Sequence, residues 1–452
     1  MRRGNVRCIM NFDSLNYKNN SKIGRTILIG NEVKNAPPVN RNNQDFITFS
    51  NGNSSFSMCK EDLSKGLLLL GSPGSGKTNV IKLMLDSIIP KLNDNDILFI
   101  FDSKQDFMDR YYNQSNPNHI LISANEEHSH LTKSWNLFGE LLNNDDNFDN
   151  AEIMANEISK SLFADIECEN QPFFHISASD IFKMIVCSFV KNATATSDYS
   201  RLNNKNLIEY IKASAVEDFY NLLCKYPEYR YVKTYLGSPN NLTPQALGVM
   251  GYLNSMINTQ FIGPFGKKSD NGEFSIRKLV REKGAMVVFI EYDMLLGNIL
   301  SPMYSLLFDL IIKNALKNGN GDVFLFADEL HLLPYCNELQ AAVNAGRSRG
   351  LKTVIGLQNI NQLYDNYGED KGKAIAAGFV NAFCFNSVDY DTRKFISERF
   401  GRTFESINYL GSNLTRDGFT VEDYDIHNLN VGEAFIDLFN TPPFKFQFGK
   451  VI

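Results

Sequence analysis

The sequence predicts an α/β chain: a mostly parallel central sheet, an all-α insertion and a small N-terminal β element. Three observations lead there. Apolar runs of four or five residues (Leu67–Leu70, Ile97–Phe101, Val323–Ala327) have the length of strands buried on both faces. The first two flank a Gly-rich turn and a helix-spaced segment, which together make a βαβ unit. From about 141 to 260 the apolar spacing is mostly helical.

In chain order, residues 1–60 are polar and Asn-rich, with alternations at Thr26–Ile29 and Phe46–Phe49 that read as a small β/loop segment. Residues 61–140 hold the first part of the sheet: the Leu67–Leu70 strand, a helix over Asn79–Ile89 stopped by Pro90, and a strand over Asp96–Phe101. Residues 141–270 form the insertion, with helical spacing at Ala178–Val190 and Leu207–Cys224. Its leading stretch carries Asp145, Asp146, Asp149, Glu152, Glu157, Asp165, Glu167 and Glu169 against Lys160 alone, which reads as a solvated face. Residues 271–452 resume the sheet. Strands are expected at Ala285–Ile290, Val323–Ala327, Thr353–Leu357 and Phe379–Asn386, and helices at Met303–Leu316, Leu339–Ala345 and Asp391–Phe400. Glu433–Phe439 and Phe444–Phe448 then close a hairpin around Pro442-Pro443.

Composition sets limits. With 43% hydrophobic residues in 452, the chain can bury a large core and is neither disordered nor collagen-like. Lys plus Arg is 45 and Asp plus Glu 51, a formal net charge of −6, so contact with nucleic acid would need a local basic lining. The seven cysteines, at 8, 59, 168, 187, 224, 336 and 384, form no CxxC pair and read as small core residues in a reducing compartment. No stretch approaches the ~20 apolar residues that a membrane helix requires. The N-terminus lacks the apolar core of a signal peptide, so a cytoplasmic location is expected.

The chemistry centres on Gly71-Ser72-Pro73-Gly74-Ser75-Gly76-Lys77-Thr78, which fits G-x-x-x-x-G-K-[ST] between a buried strand and a helix. Glycines let backbone N–H groups curl round phosphates, and the helix N-terminus adds a favourable dipole. Lys77 is expected to reach the β- and γ-phosphates of ATP, and the Thr78 hydroxyl to ligate Mg²⁺. The strand Val323–Ala327 ends in Asp328-Glu329. Asp328 is expected to hold Mg²⁺ and Glu329 to polarise the attacking water. The alternative is two acids favoured by a helix N-terminus.

Gln358, at the end of the Thr353–Leu357 strand, is a candidate γ-phosphate sensor or else a capping residue. Arg347, in Gly346-Arg347-Ser348-Arg349-Gly350, is a candidate finger across a subunit boundary, where an arginine neutralises transition-state charge. The alternative is a solvated basic turn or a contact to a phosphate backbone. Lys104 and Asp102 end the second strand, as a phosphate contact and an N-cap respectively, or as ordinary helix-start residues. His331, in Asp328-Glu-Leu-His331, is either a relay or a packed histidine. His128 and His130 read as solvated loop residues, and Trp135 as core.

The order and spacing of these motifs resemble the VirD4/TraG-type conjugative coupling proteins, within the FtsK/HerA class of P-loop motors. The matching stretches are Gly71–Thr78, Ile97–Lys104, Trp135-Asn-Leu-Phe138, the helical insertion, Phe324–Leu330, Gly346–Gly350, Leu357-Gln358, Asp389–Gly401 and the Gly432-Glu433 to Pro443 tail. The resemblance implies a RecA-like P-loop NTPase domain in a hexameric ring. That ring hydrolyses ATP between subunits and moves DNA through its channel in conjugative, type IV secretion transfer. It matches Lys77, Thr78, Asp328 and Glu329 to the Walker positions, Arg347 to the finger and Gln358 to the glutamine after Walker B. It also implies a relaxase or a membrane secretion partner. Most such proteins carry two N-terminal membrane helices, which this sequence lacks. The competing reading is a soluble HerA-like regulatory ATPase that assembles with a nuclease or effector, as in phage defence.

Overall fold

The computed structural model describes residues 21–24, 45–142, 148–163, 172–236, 243–317, 320–333, 335–409 and 412–451. Thr26–Ile29, Cys8, Cys168 and five of the acids above (145, 146, 165, 167, 169) lie outside these residues. The chain divides into two compact units, 1–93 with 324–331 and 340–452, and 94–323 with 332–339.

Nine strands carry the sheet layers. In chain order they are β1 (Leu67–Leu70), β2 (Asp96–Asp102), β3 (His119–Ser123), β4 (Met286–Glu291), β5 (Asp322–Ala327), β6 (Leu351–Leu357), β7 (Asn381–Phe385), β8 (Glu433–Asp437) and β9 (Phe444–Gln447). In the first unit the order is β9-β8-β7-β1-β6-β5. β1 is parallel to β6, with Leu70 opposite Leu357, and parallel to β7, while β8 and β9 run antiparallel at the edge. All four leucines of β1 are fully buried, as a central parallel strand requires. The hairpin Ile47–Ser50/Ser55–Met58 belongs to this unit. It joins a phenylalanine cluster in which Phe56 stacks edge-on to Phe446 (4.8 Å) and to Phe383 (6.0 Å). A second hairpin, Arg402–Tyr409/Ser412–Phe419, pairs with Ser21–Gly24 and has no counterpart in the sequence reading.

In the second unit β2 and β3 both run parallel to β4. Helices fill most of the rest: Phe148–Leu162, Pro172–Thr196, Asn204–Ala213, Val216–Lys225, Pro244–Gln260 and Gly297–Lys317. The stretch expected as one helix over Leu207–Cys224 is two. The break falls at Ser214-Ala215, where the Asp218 carboxylate accepts the Ala215 N–H at 2.7 Å and starts a new helix. The helix expected from Met303 begins at Gly297 despite Pro302. Asp293 caps its start, accepting the Leu295 and Leu296 N–H groups at 2.7 and 2.9 Å. The Asn298 carbonyl, which Pro302 cannot reach with a donor, accepts from Ser301 Oγ at 3.0 Å.

Three expectations need correction. Helices Pro172–Thr196 and Gly297–Lys317 do have the length and apolarity of a membrane span. However, 61% and 72% of their most apolar windows are buried within the protein, as in core helices. Glu152 and Glu157 are not simply solvated, since they pair with Lys183 (3.4 Å) and Lys313. His128 is not a free loop residue: its Nδ1 lies 2.7 Å from Oε2 of the fully buried Glu291 at the end of β4. Trp135 is core, 1% exposed, and donates Nε1–H to Glu140 at 2.9 Å. Of the described cysteines Cys59, Cys187, Cys336 and Cys384 are buried and Cys224 is exposed.

Candidate nucleotide site

The site lies wholly in the first unit. Gly71–Gly76 leaves β1 and turns into helix α1 (Lys77–Ile88). The turn demands glycine at Gly76, whose φ is +113° and where a Cβ would stand 2.8 Å from the Gly432 Cα. Neighbouring strand ends hold the loop in shape. Gly71 N–H donates to Leu357 O (3.2 Å), Ser72 N–H to Asn386 O (2.8 Å), and Gly432 N–H to Ser75 O (2.8 Å). Val388 N–H donates to Ser72 Oγ at 3.1 Å. Asn79, one residue past the motif, binds the carboxy-terminal segment both ways: Nδ2–H to Gly449 O and Oδ1 from Val451 N–H, each 2.8 Å.

Lys77 is 5% exposed, and its ammonium donates back to the loop carbonyls of Gly71 (2.5 Å) and Ser72 (3.2 Å). Thr78 Oγ1 donates to Asp328 Oδ2 at 2.5 Å, across 250 positions of sequence. Asp328 and Glu329 are 3% and 4% exposed at the end of β5, beside β6 and close to β1, because the strand order brings the three together. β6 passes so close that a Cβ on Gly356 would sit 2.1 Å from the Asp328 carbonyl oxygen. Gln358, just past β6, donates Nε2–H to Glu329 Oε2 at 2.8 Å, and its own N–H is held by Gln362 Oε1 at 2.9 Å. His331 Nδ1 lies 3.2 Å from the same Glu329 oxygen. The structure thus brings Thr78, Asp328, Glu329 and Gln358 together, with Lys77 next to Thr78.

Arg347 and Arg349 do not join them. Both are exposed on the turn Gly346–Arg349, and neither has a hydrogen bond or ion pair among the described residues. In the second unit, Asp102 behaves as a cap. Its Oδ2 accepts the Phe107 and Met108 N–H groups at 2.9 and 2.8 Å, and burial pushes its carboxyl up to about 6. Lys104 is exposed beside it.

Sequence reasoning missed Asn79, Gly356, Asn386 and Val388 as supports of the site. Only Gly356 left a trace, a lone glycine inside an apolar strand, which marks a close backbone approach.

Paired hydroxyl and carboxylate oxygens suit a hard divalent cation, and a glycine-shaped loop at a helix N-terminus suits a polyphosphate. Comparison with known proteins agrees. The family described as "Type IV secretion-system coupling protein DNA-binding domain" matches residues 53–427. The coupling protein TraD of Escherichia coli (strain K12) is 24% identical over 369 residues, 77% of this chain and 46% of TraD. The chain therefore spans about half the length of that curated relative. Among solved structures, the bacterial conjugative coupling protein TrwBdeltaN70 matches with a TM-score of 0.73 at 18% identity, covering 96% of this chain and 95% of that one. The plasmid coupling protein TrwB in complex with ADP and Mg²⁺ matches with a TM-score of 0.72 at 18% identity, covering 96% and 94%. At that identity the likeness establishes a common fold.

Proposed function

The chain belongs to the type IV secretion-system coupling protein family, through its DNA-binding domain, and from that premise we propose that it is an ATP-hydrolysing motor that moves DNA in conjugative transfer. One observation carries the reading: the Thr78 hydroxyl meets Asp328 at 2.5 Å next to the buried, hydrogen-bonded Glu329. A nucleotide-binding loop alone would need only Gly71–Thr78; the adjacent acid pair is what hydrolysis adds.

The placement supports the following roles. Backbone N–H groups of 71–78 and the α1 terminus receive the phosphates, and Lys77 leaves its loop carbonyls for the β- and γ-phosphates. Thr78 and Asp328 would hold Mg²⁺, which would supply charge neutralisation at the phosphates. Glu329 takes the proton of the attacking water, and Gln358 senses the γ-phosphate from the next strand. Arg347, exposed and unpaired among the described residues, serves the nucleotide of the next subunit in a hexameric ring whose channel holds DNA. A relaxase or membrane partner would supply the rest of the machinery.

The test is the ATPase rate with and without single- and double-stranded DNA, alongside the mass in solution. Stimulation by DNA and a mass of about six chains are expected. Hydrolysis indifferent to both DNA forms, with no DNA binding, would instead favour a regulatory ATPase.

A further inference from the structure

We propose that the nucleoside end of the bound triphosphate is received by Val431 and by the segment 449–451, which Asn79 clasps; the proposal rests on the nucleotide reading above. The direction comes from the strand order. β1 and its loop stand between β6 and β5 on one side and β7 and β8 on the other. Gln358, Glu329 and Asp328 all belong to the first side, where Thr78 meets Asp328. The terminal phosphate belongs at that end, within reach of Glu329 and of the oxygens that would hold Mg²⁺. A triphosphate laid across the loop then points its sugar and base the other way, toward β7 and β8.

Two features on that side are tied to the loop. Gly432, just before β8, donates its N–H to Ser75 O and accepts Phe448 N–H, each at 2.8 Å. Val431 precedes it, and its carbonyl accepts Gln447 Nε2–H at 3.2 Å. Its side chain is 67% exposed, an apolar surface on held backbone that a base can cover. The second feature is Asn79. Val80 N–H bonds to Gly76 O at 3.1 Å, so the N–H groups of the first turn of α1 lie outside the helical ladder, at the phosphate end. Asn79 belongs to that turn, while its side chain holds Gly449 O and Val451 N–H at 2.8 Å each. One residue thus joins the phosphate end of α1 to the tail. Loop 71–78 offers groups that suit phosphate. Val431 and the tail supply what separates a nucleoside triphosphate from bare polyphosphate.

The experiment measures the binding of two ligands by calorimetry in the presence of Mg²⁺: the non-hydrolysable ATP analogue AMPPNP and inorganic tripolyphosphate. The proteins are the unaltered chain, Asn79→Ala and Val431→Ser, each checked for folding by thermal melting. The unaltered chain should bind AMPPNP about tenfold or more tighter than tripolyphosphate. Asn79→Ala releases the tail, and Val431→Ser removes apolar surface at an exposed position. Each should weaken AMPPNP about three- to tenfold and leave tripolyphosphate within about twofold. A loop that had merely lost its support would bind both ligands less well, so the split between them reads the nucleoside contact itself. Should Asn79→Ala fail to fold, Val431→Ser decides alone. Equal affinity of the unaltered chain for the two ligands, equal losses of both in the variants, or unchanged AMPPNP binding in either folded variant would overturn the proposal. Failure of the unaltered chain to bind either ligand would instead remove the nucleotide reading, so the two failures are distinguishable.

Discussion

Lys77 and Glu329 are both buried and polar, yet their removal should have different consequences. Lys77 is the cation that compensates phosphate charge, so Lys77→Ala should lose productive ATP binding and turnover together. Glu329→Gln keeps the metal ligands Thr78 and Asp328 and retains an amide that Gln358 can meet. It should bind ATP and hold it while the rate falls by ~10²-fold or more. Retention of labelled ATP on the washed protein, measured beside turnover, separates the two. If both variants lose binding equally, the division of roles is wrong. These residues were legible because each stands in a motif whose spacing carries its chemistry. His128 was not. Its partner Glu291 lies 163 positions away, and only the pairing of β3 with β4 brings their loops to one sheet edge.

At the scale of elements, the β5–β6 contact turns on Gly356, and the start of helix Ile276–Glu282 is held by Glu140 together with the Ser275 cap. Gly356→Ala would drive a methyl into the Asp328 carbonyl, which backbone cannot yield cheaply. We expect ~1–3 kcal/mol of destabilisation, and a turnover loss larger than the melting shift because Asp328 is displaced from Thr78. A normal rate in a destabilised protein would detach the strand contact from the site.

Glu140 is fully buried, and its carboxylate accepts Trp135 Nε1–H at 2.9 Å, Ile276 N–H at 2.6 Å and Arg277 N–H at 2.9 Å. Burial, opposed by these donors, pushes its carboxyl up from 4.5 to about 7. The folded state therefore binds the proton more tightly than the unfolded chain. The stability linked to that proton is fully present below about 4.5 and is lost as pH rises to about 7, on the order of 3 kcal/mol in all. Glu140→Gln should be less stable, because its amide nitrogen faces an N–H donor. It should also lose that component of the decline between pH 4.5 and 7, seen in melting curves across the range. An unchanged pH slope would show that Glu140 does not titrate there.

Across the whole molecule, the arginine turn is where an assembly or a nucleic acid would make its contact. Arg347 and Arg349 are exposed, and neither has a hydrogen bond or ion pair among the described residues. If Arg347 acts in trans, Arg347→Ala and Lys77→Ala subunits, each inactive alone, should regain some ATPase activity when mixed. Some interfaces then pair an intact loop with an intact arginine. Confirmed co-assembly without recovery, together with weakened DNA binding, would make Arg347 a phosphate-backbone contact. Recovery with Arg349→Ala in place of Arg347→Ala would move the finger by two residues.

Much of what is encoded locally is legible in the chain itself. That covers the buried strands β1, β2 and β5, the loop 71–78, the acids at 328 and 329, Gln358, and the closing hairpin β8–β9. Local runs and short motifs report strand burial and backbone conformation directly, which is why these boundaries hold to a few residues. Tertiary structure alone decided which strands lie side by side. The meeting of Thr78 with Asp328, the glycine at 356, the clasp of Asn79 on the tail and the hydrogen bond between His128 and Glu291 all follow from that order. So does the burial of two helices whose composition would equally suit a membrane, because an apolar helix takes its environment from its neighbours and its sequence states only that it needs one.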